Sequence, residues 1–156
     1  MHAGNDKVTR LAGLIFTLRQ KCALKDHFIV KRAGISQAEY NCLSQFFDAG
    51  TIGMKKLGER LDITPGGVTR IITGLEEKGI VERRIDAEDR RGINVILTKR
   101  GERIVGDIRD TSLGLHAEII ERIDPSSREK VIEAVEQLIT AINDWLEANA
   151  GTDGGK

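Results

Sequence analysis

Two short polar segments in the middle of the chain carry groups that could bind an anion. The first, TPGGVTR, covers residues 64–70, and the second, DAEDRRG, covers residues 86–92. Hydroxyl, guanidinium and free backbone N–H groups all donate hydrogen bonds, and in combination they suit a phosphate oxygen or the edge of a nucleic-acid base. What they could reach depends on the elements that present them.

The first segment has the signals of a helix start. Thr64 suits an N-cap, and Pro65 suits the first helical position, where a missing N–H does no harm. Apolar residues then recur at helical spacing, at Val68, Ile71, Ile72 and Leu75. Because Gly79 suits a left-handed C-cap, a helix is predicted over residues 65–78.

A shorter helix precedes this one. Residues 54–61 have their apolar positions on one side, and Asp62 and Ile63 follow as a tight turn. Gly58, in the middle of the shorter helix, costs about 1 kcal/mol relative to alanine, and we expect it to loosen that helix.

After Gly79 the period of the apolar residues changes from that of a helix to that of a strand. Residues 81–85 and 93–97 alternate apolar and polar side chains, which is typical of the two strands of a hairpin. The charged segment 86–92 is then the hairpin tip, and Gly92 lets the chain turn back.

Helices are also predicted before this central region. Residues 8–31 form a helix with an apolar stripe. Ser36 and Glu39 have the spacing of a capping box, which starts a second helix that runs to about Phe47. Residues 48–53 are a loop that could include a short extended segment. The stripe of the first helix consists of Leu11, Ile15, Leu18 and Cys22.

Two more helices are predicted after the central region. Thr98 caps a helix over residues 101–121, and Ser126 and Glu129 are in capping-box register at the start of a last helix that ends near Asn149. The apolar stripe of the last helix consists of Val131, Val135, Leu138, Ile142 and Trp145.

The order helix, tight turn, helix, β-hairpin predicts a winged helix-turn-helix, a mainly α fold with a small β-hairpin wing. In helix-turn-helix proteins the N-terminal residues of the second helix meet base edges in the major groove of DNA. Arg70 could offer a bidentate contact to guanine or pair with a phosphate. The candidate contacts on this helix are Thr64, Pro65, Gly66, Gly67, Thr69, Arg70 and Thr73.

The wing supplies a second group of candidates. Arginines at a narrow tip, here Arg90 and Arg91, can enter the minor groove. Either Arg83 or Arg84 could reach a backbone phosphate. A carboxylate repels phosphate, so Asp89 is expected to orient a neighbouring arginine. The candidate wing contacts are Arg84, Asp89, Arg90 and Arg91, although all these charges could also be ordinary solvated surface.

Composition narrows the classes of function. The net charge is zero, but residues 53–101 carry eleven basic and eight acidic residues, whereas residues 102–156 carry six and twelve. No catalytic motif, metal triad or phosphate loop is present, so neither an enzyme nor a cofactor is expected. Without a long apolar run or a signal peptide, a cytoplasmic location with no membrane contact is expected. Both cysteines, Cys22 and Cys42, are predicted to be buried structural thiols.

At this point the sequence resembles the multiple antibiotic resistance regulator (MarR) family of bacterial transcription factors. The resemblance rests on TPGGVTRIITGLEEKGIVERR followed by DAEDRRGINVILTKRG, and it covers about residues 30–110. Within it, VTR, LEEKG and DRR-x-x-x-V-x-LT follow the order and spacing of the family.

The resemblance implies a homodimer whose terminal helices interlock and whose two winged lobes bind a pseudo-palindromic operator in double-stranded DNA. Members usually repress transcription, and many release DNA when a small phenolic or amphipathic effector binds. The family's recognition contacts would fall on residues 64–70, and its wing arginine would be Arg91. The peroxide sensors of the family place their cysteine nearer the helix start than Cys22, which disfavours an oxidant-sensing role for Cys22 and leaves it as an alternative. The three histidines form no recognisable metal site.

The predicted organisation is an N-terminal dimerisation helix (1–34), a winged helix-turn-helix DNA-binding domain (35–100), C-terminal dimerisation helices (101–149) and a disordered tail (150–156). The alternative function is a winged-helix module that binds protein and not DNA.

Overall fold

The computed structural model describes residues 3–150 and contains six α-helices and three short strands. Helical periodicity and capping signals account for the helices. The helices are α1 (Ala3–Ala33), α2 (Gln37–Leu43), α3 (Met54–Leu61), α4 (Pro65–Glu77), α5 (Lys99–Glu121) and α6 (Arg128–Asn149). The strands are β1 (Thr51–Gly53), β2 (Val81–Ile85) and β3 (Ile93–Leu97), and 3-10 turns cover Ser44–Phe46 and Pro125–Ser127. The predicted mainly α fold with a hairpin wing is confirmed. Of the predicted tail, residues 151–156 lie outside the described residues.

The start of α2 follows its local signals. The Ser36 hydroxyl accepts a hydrogen bond from the Glu39 backbone N–H at 3.1 Å, and the Ser36 N–H donates to the Glu39 carboxylate at 2.8 Å. This is the predicted capping box. The helix becomes a 3-10 turn after Leu43, a few residues before the predicted end at Phe47.

The sheet has three antiparallel strands in the order β1-β3-β2. In the predicted hairpin, Val81 pairs with Leu97 and Ile85 pairs with Ile93. Residues 48–53 were expected to be a loop with a short extended piece. That piece is strand β1, in which Ile52 pairs with Val95. The sheet therefore ties the wing to the chain that precedes α3.

The chain divides after Ser112 into two compact units. The first unit contains the buried core, to which the end of α1, helices α2–α4, all three strands and the start of α5 contribute. Its fully buried side chains are Ile29, Cys42, Leu43, Leu57, Val68, Ile72, Leu75, Val95 and Ile108. This core supports α4 from beneath and leaves its other face to solvent.

The start of α5 packs directly on the chain that leaves α4. A Cβ atom at Gly101 would lie 2.0 Å from the Ile80 carbonyl oxygen, so only glycine fits there. The Thr98 hydroxyl caps α5 by accepting from the Gly101 N–H at 3.0 Å, and it donates to the Gly79 carbonyl at 2.7 Å. The cap predicted at Thr98 is confirmed, and it also fastens α5 to the end of α4.

The second unit begins at Leu113 and contains the end of α5 and all of α6. The predicted capping box of Ser126 and Glu129 is wrong. Asp124 caps a 3-10 turn instead, because its carboxylate accepts from the Ser126 N–H at 3.1 Å and Pro125 favours the first position of that turn. Helix α6 starts only at Arg128, and none of its residues is buried.

The two cysteines differ in burial. Cys42 is buried as predicted, and burial raises the pKa of its thiol to about 12. Cys22 is exposed, so its predicted burial is wrong within the described chain, because nothing covers its stripe on α1. Among residues 3–150, no helix is long and apolar enough to cross a membrane.

Candidate nucleic-acid interface

The helix-turn-helix is held by close packing and by its caps. The Thr64 hydroxyl accepts from the Gly67 N–H at 3.1 Å, as its role of N-cap predicts. Asp62 adopts a left-handed conformation with φ of 51° and makes the tight turn. Gly58 does not interrupt α3, and a Cβ there would lie 3.2 Å from Val68 Cγ2. This glycine therefore lets α3 approach α4 closely, which corrects the expectation of a loosened helix.

The predicted contact face of α4 points to solvent. Thr64, Pro65, Gly66, Thr69, Arg70 and Thr73 are exposed, and Gly67 is half-buried. Arg70 has no ion pair with the described residues, so its guanidinium is available to an outside ligand. A Cβ at Gly66 would meet nothing within 4 Å, so packing does not require a glycine there. The absent side chain leaves the first N–H groups of the helix open to an anion.

The wing tip is organised by two aspartates. The Asp86 carboxylate accepts from the backbone N–H of Glu88 at 2.8 Å and from the Asn94 side chain at 3.2 Å. Hydrogen bonds from Glu88, Asp89 and Asn94 hold the pKa of Asp86 below its ordinary value. The Asp89 carboxylate accepts from the backbone N–H of Arg91 at 3.0 Å. Both acids therefore shape the loop from within, and Asp89 holds the backbone of Arg91, with no ion pair to an arginine among the described residues.

The arginines at the tip remain available. Arg90 and Arg91 are exposed and, within residues 3–150, neither forms an ion pair. Arg84 is also exposed, and it pairs with Glu82 on its own strand. The tip therefore presents two guanidinium groups without an ion-pair partner, beside three acidic side chains, on a narrow projection.

Arg83 has a different environment from its neighbour. Its guanidinium lies 3.0 Å from the Glu76 carboxylate of α4 and donates to the Thr73 hydroxyl at 2.7 Å. The contact therefore joins the base of the wing to the exposed face of α4. Thr73, a candidate DNA contact, already accepts a hydrogen bond within the protein.

The far end of α4 is anchored by a buried acid. The Glu39 carboxylate lies 2.7 Å from the Lys78 ammonium, and the Glu39 side chain is only 10% exposed. Burial acts to raise the pKa of Glu39, but the Lys78 side chain and the Ser36 hydrogen bonds hold it below its ordinary value. The last turn of α4 is thus tied to the capping box of α2.

No cluster of three His, Cys, Asp or Glu residues that could hold a metal occurs in the described part of the chain. His2 lies outside that part.

Residues 35–93 match the model of the MarR family. The HTH-type transcriptional regulator SarZ of Staphylococcus epidermidis is 26% identical over 141 residues, which are 90% of this chain and 94% of SarZ. The apo crystal structure of wild-type MarR from E. coli has a TM-score of 0.70 at 25% identity and covers 82% of this chain and 96% of its own. Streptococcus pneumoniae FabT, solved in complex with DNA, has a TM-score of 0.76 at 21% identity, with 88% and 99% covered.

The winged helix-turn-helix of this chain matches the MarR family.

The family match spans the elements that build the candidate interface. Residues 35–93 include α2, α3, α4 and the hairpin tip. Two features of the interface carry no local sequence signal. Glu39 and Lys78 are 39 positions apart, and Arg83 meets Glu76 only because the chain reverses at Gly79. Both contacts depend on how α4 packs.

Proposed function

We propose that this chain is a transcriptional regulator that binds double-stranded DNA as a homodimer at a pseudo-palindromic operator. The observation that carries the proposal is the combination of an exposed α4 face with an exposed, arginine-tipped wing, joined through Arg83 within one unit. In this proposal residues 64–70 and Thr73 enter the major groove, and Arg91 enters the minor groove. Arg90, Arg84 and the loop ordered by Asp89 lie beside it.

The apolar surface of the terminal helices supports the homodimer. Large apolar side chains on α1 and α6 are exposed to solvent; Phe28 is 74% exposed and Trp145 is 65% exposed. Exposed apolar surface of this extent marks an interaction site. A second copy supplies matching helices, and two winged units then present two half-sites about one DNA turn apart. The segments 1–34 and 101–149 remain the proposed dimerisation regions.

A groove in the first unit supports the effector part of the proposal. It has a volume of about 460 Å³ and is lined by residues of α1 and α5. Ile29, Ile104 and Ile108 provide apolar walls, and Arg32, Asp107 and Asp110 provide charge. This mixture suits a small amphipathic or phenolic effector, whose binding would relieve repression. An Arg32→Ala variant should lose the response to a phenolic effector, whereas Arg103→Ala, on helix α5 but outside the groove, should keep it.

Selection of bound sequences from a random duplex pool tests the proposal and returns the operator. The affinity for the selected duplex should fall steeply with salt, because each neutralised phosphate releases counterions. A footprint should cover two half-sites. Failure to bind any duplex at low salt would favour the alternative of a protein-binding module.

The wing arginine gives a residue-level test. Arg91→Ala should weaken operator binding by about 1–3 kcal/mol, as expected for a lost groove contact. Lys130→Ala, which removes an exposed cation of α6, is the matched control and should bind as the parent does. Equal affinity of the Arg91 variant and the parent would exclude the wing as a reader of DNA.

A further inference from the structure

Arg83 lies on β2 but makes its polar contacts with α4. Its backbone N–H donates to one oxygen of Glu76 at 3.0 Å, and its Nη1 lies 3.0 Å from the other oxygen. Its Nη2 donates to the Thr73 hydroxyl at 2.7 Å and to the Thr69 carbonyl at 3.2 Å. One side chain therefore contacts three successive positions along the α4 face, each about one turn from the next.

The charge of Arg83 is already used inside the protein. Both oxygens of Glu76 are directed at Arg83, and the two side chains are 29% and 30% exposed. A guanidinium that is paired with a carboxylate in this way adds little net charge for a phosphate to neutralise. Arg90 and Arg91 differ in this respect, because they are exposed and unpaired in the described chain.

The contacts also need the shape of arginine. The planar guanidinium presents several N–H groups in a fixed fork, so it can bond Glu76, Thr69 and Thr73 together. A lysine carries the same charge on one nitrogen and cannot reproduce that arrangement. The geometry therefore fixes the base of the wing against the helix face that holds the candidate base contacts.

We propose that Arg83 is a positioning residue: through Glu76, Thr73 and Thr69 it sets the orientation of the wing relative to α4 and does not itself neutralise phosphate. The proposal rests on the proposed DNA-binding function and adds a division of labour between neighbouring arginines. Arg83 aligns the two reading elements, and Arg90 and Arg91 contact the duplex.

The test compares Arg83→Lys and Arg83→Gln on the selected operator over a range of salt concentrations. We expect both variants to bind about tenfold more weakly, since residues that share one hydrogen-bond network are energetically coupled. The slope of log affinity against log salt should stay at the parent value. Arg91→Gln, the comparison variant, should lower that slope by about one. If Arg83→Lys binds like the parent while Arg83→Gln lowers the slope by about one, Arg83 is a phosphate contact and the proposal is wrong.

A double-mutant cycle tests the bridge itself. Glu76→Gln and Arg83→Gln should each weaken operator binding, and the double variant should be no weaker than the weaker single variant, because both remove one interaction. Additive losses would overturn the proposal. Thr73→Val keeps the shape of an exposed side chain, so it should fold even where an Arg83 variant does not. In the free protein, where no DNA contact contributes, it should speed exchange of backbone amides in residues 83–94; unchanged exchange there would also overturn the proposal.

Hydrogen exchange in the free protein separates this proposal from the DNA-binding function. Arg83→Lys should speed exchange of backbone amides in residues 83–94 and leave the Ile72 amide in the core unchanged. That result would support the bridge even if the parent bound no duplex, in which case only the proposed function would fail. Unchanged exchange in the wing would show that Arg83 does not hold it.

Discussion

Ile72 on α4 and Ile139 on α6 both lie on amphipathic helices, but Ile72 is fully buried and Ile139 is 53% exposed. The first unit, called the winged unit below because it contains the wing, covers its apolar face with its own helices and strands. Helix α6 has no buried residue, and most of α1 before Ile29 is also uncovered. The same kind of periodic apolar pattern therefore has two outcomes. In one region it forms a core within a single chain, and in the other it forms a surface that a second chain would cover.

The difference shows which contacts can be tested in the isolated chain. Substitutions in the winged unit should change stability at any protein concentration. Substitutions on the uncovered helices should act only where two chains meet, so their effects should depend on concentration. The predictions below use this contrast, from the largest expected effect to the smallest.

Gly101→Ala should destabilise the winged unit most. A Cβ at this position would lie 2.0 Å from the Ile80 carbonyl oxygen, so the start of α5 must move away from the end of α4. We expect a loss of at least about 3 kcal/mol in the free energy of unfolding, measured by urea denaturation. Gly106→Ala, on the same helix with nothing within 4 Å, is the control and should stabilise by up to about 1 kcal/mol. Equal stabilities for the two variants would contradict the close packing at Gly101.

Ile139→Asp should weaken association while leaving the winged unit intact. A carboxylate in the apolar surface of α6 would be buried without a partner in the proposed dimer. We expect the dissociation constant, measured by sedimentation equilibrium, to rise at least tenfold, or about 1.4 kcal/mol. Glu136→Gln on the same helix is the polar control. A parent chain that stays monomeric at high concentration would refute the dimer, and the contrast between the two regions would then need another explanation.

Glu39→Gln should reduce the stability of the protein at neutral pH and make that stability depend less on pH in the acid range. The pKa of Glu39 is below its ordinary value of 4.5 in the folded chain. Its contribution is therefore fully present above the unfolded pKa and is lost as the pH falls through the folded pKa. We expect a loss of about 1 kcal/mol at pH 7, measured by urea denaturation, which shrinks as the pH falls below about 4. Glu77→Gln, an exposed neighbour of Lys78, should change little at either pH.

The reaction rates of the two thiols with a thiol reagent should show directly whether protein covers each of them. Cys42 is buried with a pKa of about 12, so it should react with a thiol reagent only when the winged unit unfolds. Cys22 is exposed and should react readily in dilute protein. If a second chain covers α1, the rate at Cys22 should fall as concentration rises, measured in a Cys42→Ser background. A rate that does not change with concentration would place Cys22 outside any interface.

Local signals predicted much of this fold because they act within a few residues. The capping box of Ser36 and Glu39, the N-cap at Thr64 and the hairpin from Val81 to Leu97 all satisfy backbone groups close in sequence. The capping box predicted at Ser126 also failed for a local reason, because Asp124 and Pro125 compete with Ser126 and make a 3-10 turn. The candidate contacts on α4 could also be named in advance, because they are the polar positions of a helix whose apolar face is regular.

The sequence by itself determined the helix and strand pattern, the caps and the polar faces, since each depends on neighbours along the chain. Only the tertiary structure decided that Arg83 bonds α4 while Arg84 pairs on its own strand, that Gly101 admits no side chain, and that Cys22 lies exposed on α1. These outcomes depend on which surfaces meet after the chain has folded. Alternation and spacing do not specify the partner of a side chain, because that partner is set by packing between elements distant in sequence.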